Sequence, residues 1–202
     1  MSLNKASSKQ KSKKHQMDHT TGLLLVDIQK GLDDWEFYGG NRNNLTAEEN
    51  ASKILQAWRE RAWPVFHVQH SSMNPESPLH ASKPGFQIKE EVMPLANEPV
   101  ITKNVNSAFI GTDLEQRLKE MGINTLIIVG LTTNHCISTT TRMASNLGFQ
   151  TYLVSDATAT FDRKGLDGGI FEAELIHQTC LANLNEEFAT IVSTEGLLHT
   201  MA

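Results

Sequence analysis

The chain has 202 residues, a net charge of -5, 39% hydrophobic and 20% charged residues, the length of roughly one domain and the balance of an ordinary water-soluble protein. Residues 1 to 20 hold five lysines against one aspartate, so the net negative charge resides in the remainder. An acidic body argues against a nucleic-acid surface, and no apolar run reaches the roughly 18 residues of a membrane span.

Residues 1–19 are polar and Ser/Lys-rich without apolar periodicity, and are expected to form a disordered basic arm ahead of a folded domain over 20–202. The run 23–27, Leu-Leu-Leu-Val-Asp, is too short for a helix and reads as a strand buried on both faces. Residues 47–61 carry Ala51, Ile54, Leu55 and Trp58 at helical spacing, behind a Thr46 N-cap with Glu49 three residues on. Pro64 opens a second strand over 65–68, and a Ser/Pro/Asn-rich loop over 71–85 is long enough to be functional. A third strand spans 100–103. A helix over 113–121 ends at Gly122, and a fourth strand over 125–129 closes on Gly130. The next helix begins at Thr133 or Asn134 and stops before Gly148; strands over 151–154 and 190–192 flank a helix over 171–184. This alternation predicts an α/β fold, a three-layer α/β/α sandwich around a six-stranded, mostly parallel, Rossmann-like sheet. In such sheets ligands bind at the carboxyl ends of the strands, where strand order reverses.

Three chemically capable residues fall at such ends. Asp27 closes the first strand, Lys103 the third, and Cys136 follows the fourth in Gly130-Leu131-Thr132-Thr133-Asn134-His135-Cys136. A carboxylate ending an apolar strand needs a partner, which a lysine could supply. A thiol at a helix N-terminus is expected to have a lowered pKa, and free N–H groups there can hold an oxyanion. The residues alone leave two readings open: a cysteine nucleophile with two helpers, or a buried small cysteine beside a structural ion pair. The two cysteines, Cys136 and Cys180, make no disulfide framework, which fits a cytoplasmic setting; Cys180, among apolar neighbours, reads as core.

The runs Leu24-Leu25-Val26-Asp27-Ile28-Gln29-Lys30-Gly31-Leu32, Thr102-Lys103 through Asn106-Ser107-Ala108-Phe109, and Gly130 through Cys136 resemble, in order, the isochorismatase-like cysteine hydrolases. The resemblance implies a catalytic Asp27–Lys103–Cys136 triad and a cis peptide before Thr132. It further implies an oxyanion hole of the Thr132 and Cys136 N–H groups, a thioester intermediate, and a dimer or tetramer. Nicotinamidases of this superfamily carry an Asp-x-His metal motif after the second strand. Here that stretch is Val68-Gln69-His70-Ser71-Ser72-Met73-Asn74, so no metal and no other cofactor is expected. His67 and His70, an odd number of residues apart, tend to point to opposite faces. Cys136 points away from the isochorismatase branch proper, which needs no cysteine.

The expectation is therefore an amidohydrolase acting on an amide or ureido bond of a small-molecule substrate, with neither nucleic acid nor membrane as partner. The alternatives are an isochorismatase-type or nicotinamidase-type hydrolase, a non-catalytic binding or oligomerisation module, and a redox protein cycling Cys136. Gln29, Trp35, Phe37, Gln69, His70, Asn106, Phe109, His135 and Arg163 are the candidate substrate contacts, with residues 159–163 as a further wall.

Overall fold

The computed structural model describes residues 17–201. The expected arm over 1–19 lies outside the described residues except for its last three, of which Met17 is buried against the core.

Six strands form one parallel sheet: β1 (Thr21–Val26), β2 (Val65–His70), β3 (Val100–Lys103), β4 (Thr125–Leu131), β5 (Gln150–Ala159) and, last in the chain, β8 (Thr190–Val192). Between β5 and β8 a separate antiparallel hairpin is made by β6 (Arg163–Lys164) and β7 (Ile170–Phe171). The sheet order is β3-β2-β1-β4-β5-β8. From β1 the chain winds outward one way through β2 and β3, then crosses to β4 and winds the other way. The reversal point lies between β1 and β4.

The helices are a short α1 (Trp35–Tyr38), α2 (Ala47–Glu60), α3 (Leu114–Glu120), α4 (Ser138–Asn146), α5 (Ala173–Leu184) and α6 (Thr194–His199). Every residue of β1 and β4 is buried, because alternate side chains feed two cores. Leu24, Val26, Leu126 and Ile128 meet Leu114 of α3, Ala144 of α4 and Leu184 of α5 on one face. Leu23, Leu25, Ile127 and Val129 meet Ile54, Leu55 and Trp58 of α2 and Leu197 of α6 on the other. Each fully buried aliphatic side chain contributes about 1.5–3 kcal/mol, so the two faces together hold the layers in register. Trp58 also donates from Nε1 to the Thr21 carbonyl at 3.3 Å, pinning α2 to the first strand.

Several local expectations are corrected. Thr46 stands at the N-cap of α2 but makes no side-chain cap bond. Its backbone (φ -103°, ψ 14°) lacks the extended geometry in which a cap oxygen meets the N2 or N3 N–H. Strand β2 runs two residues beyond the expected stretch, to His70, and β5 runs from 150 to 159 instead of 151 to 154. β5 accommodates its length through a register shift against β4 between Ile128 and Gly130. Gly130, at φ 126°, has to be glycine: a Cβ there would collide with the Val26 carbonyl of the neighbouring strand. That close approach brings the ends of β1 and β4 together at the reversal point. Among the described residues no helix is long and apolar enough to cross a membrane.

Candidate active site

Asp27 leaves β1 with φ 55°, a left-handed conformation that aspartate tolerates better than most residues. The turn carries its carboxylate over the sheet edge towards the end of β4. There the chain passes through a cis peptide between Leu131 and Thr132 and a single π-helical turn, Thr133–Ile137, before α4 begins. Cys136 sits in that turn.

Lys103 comes from β3, two strands from Asp27. Adjacent strands lie about 4.8 Å apart, so its side chain must cross the end of β2 to arrive. It does so buried to 0% exposure, alongside His70, its register partner on β2. Its Nζ donates to Asp27 Oδ2 at 2.7 Å, His70 Nδ1 at 3.0 Å and Cys136 Sγ at 3.3 Å. An ammonium has three protons and each has an acceptor. The second carboxylate oxygen, Asp27 Oδ1, is buried, makes no bond to Lys103, and lies beside the Cys136 thiol. Asp27, His70 and Cys136 place an oxygen, a nitrogen and a sulfur within 4.8 Å of one another, a grouping that could ligate a metal. Each of the three is already bonded to the lysine, however, so a divalent ion would have to displace a buried ammonium. The donor set is organised around that cation and does not fit a metal as well.

The electrostatics correct one expectation. The Cys136 thiol is pushed up, not down, from its ordinary value, first by burial and then by the Asp27 carboxylate, with Lys103 only partly offsetting them. Proximity to a helix start is outweighed by desolvation of the thiolate. The resting group is a thiol beside a carboxylate.

These groups open on a cavity of about 290 Å³. Asp27, His70, Thr132, His135 and Cys136 form its floor, and Leu32, Tyr38, Ser77, Leu79, Leu131 and Asn106 its walls. The 71–85 loop supplies Ser77 and Leu79 because its far end packs backbone to backbone on the turn after β1. A Cβ on Gly85 would come within 2.7 Å of Gly31 Cα, and Gln29 bridges Ile88.

Of the candidate substrate contacts, His70, Asn106 and His135 line this cavity. His70 is also held from behind: Gln29 accepts from its N–H at 2.7 Å and donates to its carbonyl at 3.0 Å and to Phe86 O at 2.8 Å. Gln29 is thus a buried clasp, not a substrate contact. Phe109 belongs to the core, stacked on Phe149, and Gln69 donates to Thr102 Oγ1 outside the cavity. Trp35 and Phe37 are 37% and 49% exposed and outside the lining, Phe37 packing edge-on against Tyr38; the fourth residue of that helix, Tyr38, takes the wall position. Arg163 is exposed on the β6–β7 hairpin and is not part of the lining, though its charge helps burial lower the His135 pKa. Tyr38, Ser77 and Leu79 were not anticipated. The aromatic cluster 35–38 and the long Ser/Pro loop were the available signals.

A carboxylate, an ammonium and a thiol are gathered at the reversal point of a doubly wound sheet, the place where such folds bind ligands. The isochorismatase-domain family model matches residues 21–196. The chain is 51% identical over 183 residues to the uncharacterized isochorismatase family protein YrdC of Bacillus subtilis, covering 91% of this chain and 97% of that one. It is 27% identical over 165 residues to nicotinamidase 3 of Arabidopsis thaliana, covering 75% and 78%. A crystal structure of an isochorismatase-family protein from Chromobacterium violaceum superposes with a TM-score of 0.86 at 38% identity, covering 91% of this chain and 94% of that one. The chain belongs to the isochorismatase family, whose members are generally hydrolases.

Proposed function

We propose that this protein is a cysteine amidohydrolase that cleaves an amide or ureido C–N bond of a small molecule through a thioester on Cys136, without a metal. The observation that carries the reading is the Lys103 ammonium joined at once to Asp27 and Cys136, with the Asp27 carboxylate beside the thiol. Asp27 takes the thiol proton, and Lys103 stabilises the thiolate formed. The sulfur attacks the carbonyl carbon, and the backbone N–H groups of Thr132 and Cys136 receive the oxyanion. The C–N bond breaks as Asp27 returns the proton to the departing nitrogen. Water then attacks the thioester, giving a proton to Asp27. The C–S bond breaks, the acid departs, and the proton returns to sulfur. Similarity to a protein named nicotinamidase supports amide chemistry.

Two free cysteines favour a cytoplasmic setting for the same reading. Exposed apolar residues on α1, the hairpin and α5 (Phe37, Ile170, Phe171 and Leu175) support a homo-oligomer. The function is tested by ammonia release across a panel of small amides and ureido compounds. Turnover by the native protein should vanish in both Cys136→Ala and Asp27→Asn. Cys136→Ala with near-native turnover would end the covalent scheme.

A further inference from the structure

We propose that the cavity selects uncharged substrates and rejects carboxylates, an inference that rests on the amidohydrolase reading and narrows it. The one buried cation at the site is fully committed: all three Lys103 protons go to Asp27, His70 and Cys136. None is left for an anionic group on a ligand.

The two histidines in the lining do not supply a charge either. His70 accepts from Lys103 at Nδ1, so that nitrogen carries no proton, and burial together with the neighbouring ammonium lowers its pKa. The side-chain oxygen of Asn134 accepts from the Thr160 hydroxyl, which turns the Asn134 amide towards His135 Nε2 at 3.5 Å. His135 Nε2 is then the accepting nitrogen, and Nδ1 can donate to Thr132 Oγ1 at 3.1 Å. Burial lowers the His135 pKa, with Arg163 adding to the effect.

The walls are neutral. Leu32, Leu79 and Leu131 are buried aliphatic surface, and Ser77 and Asn106 are uncharged polar groups. The Tyr38 hydroxyl is buried beside Ser77, its ring stacked on Phe161. With its pKa raised to about 12, mainly by burial, it is a neutral group at any working pH. Arg163, a cationic candidate contact in the sequence, is exposed and outside the lining. A carboxylate entering this space would lose water, meet the charge of Asp27, and find among the lining residues no cation with a proton free to donate. A neutral acyl group pays only for its own dipole, which the polar walls can satisfy.

Iodoacetamide and iodoacetate test this without requiring turnover. They have nearly the same shape, and each alkylates a thiol by forming an S–C bond as iodide leaves. Labelling of Cys136 is followed by peptide mass spectrometry, and the rate ratio of the two reagents is divided by the same ratio for 2-mercaptoethanol. The expected preference for iodoacetamide is about tenfold or more, and it persists in 0.5 M salt, which screens the acidic surface. A normalised ratio near one, a preference for iodoacetate, or no labelling by either reagent would overturn the proposal. In parallel, ammonia release is compared for 3-nitropropanamide and succinamate, in which a neutral nitro group replaces a carboxylate of the same shape. Preferential hydrolysis of the nitro compound supports both readings. If the labelling preference holds while no amide is hydrolysed, charge selection stands and the amidohydrolase reading falls. Equal hydrolysis of both amides overturns charge selection and leaves the amidohydrolase reading intact.

Discussion

Lys103 reaches Asp27 only by passing His70, and the histidine accepts one of its protons at 3.0 Å. Asparagine can present an acceptor near the Nδ1 position, whereas leucine leaves a buried ammonium proton without one, at a cost of about 1–3 kcal/mol. His70→Leu should therefore lower kcat roughly tenfold or more with little change in KM, while His70→Asn stays within about threefold of native. Steady-state kinetics decide it: a KM effect with kcat intact would make His70 a substrate contact. The thiol gives a second test. Burial and Asp27 raise its pKa, so Cys136 is protonated at neutral pH and its alkylation should climb as pH rises above 7. In Asp27→Asn the carboxylate's repulsion is gone, so the climb should begin at lower pH even though turnover is lost. A labelling rate already flat from pH 6 upward in the native protein would show a thiolate ionised at rest.

The elements around the site are fastened by buried charge. Arg42 meets Glu48 of α2 through both terminal nitrogens, at 2.9 and 2.5 Å, and Lys89 joins Glu48 at 2.7 Å and Asp33 at 2.5 Å. This ties the turn after β1, the start of α2 and the segment before β3 into one wall. Glu48→Ala strands buried Arg42, leaves Lys89 with the exposed Asp33 carboxylate, and should cost about 3–5 kcal/mol in urea unfolding; a loss below 1 kcal/mol would show that the network relaxes. At the opposite end of the sheet Glu98 binds Arg59 at 2.7 Å and His67 at 2.9 Å. Burial works against its charge, yet Arg59, the Leu95 N–H and His67 together hold its pKa down to about 2, from an ordinary 4.5. The sign follows from linkage: the stabilisation is complete above pH 4.5 and is lost as pH falls towards 2. Glu98→Gln should lower Tm at pH 7, and the gap from native should close between pH 4.5 and 2. A gap that persists at pH 2 would contradict this account.

At the scale of the whole molecule, the sheet was largely legible because each strand is an apolar run closed by a glycine or a polar residue. Asp27, Lys103 and Cys136 stood out as chemistry at those closures. Strand order was not legible from any local pattern, and it is strand order that puts β2 between β1 and β3 and turns His70 towards the lysine. The cavity walls were hidden for a related reason: the 71–85 loop has no periodicity, and its seat depends on the distant contact between Gly31 and Gly85. The raised thiol pKa also depends on burial, which the helix-start argument does not count. The apolar surface on α1, the hairpin and α5 belongs to this scale too. Light scattering should give a mass at least twice that of one chain, and Phe171→Glu should reduce it; a native monomer would contradict the proposed homo-oligomer. The central claim is that Cys136 carries the acyl group. Its most direct test is intact-protein and peptide mass spectrometry of a reaction quenched in acid during turnover of an amide found in the panel. The expected result is an added mass equal to the acyl fragment, confined to the peptide containing Cys136 and absent in Cys136→Ala. Sustained hydrolysis of the same amide by Cys136→Ala would contradict it.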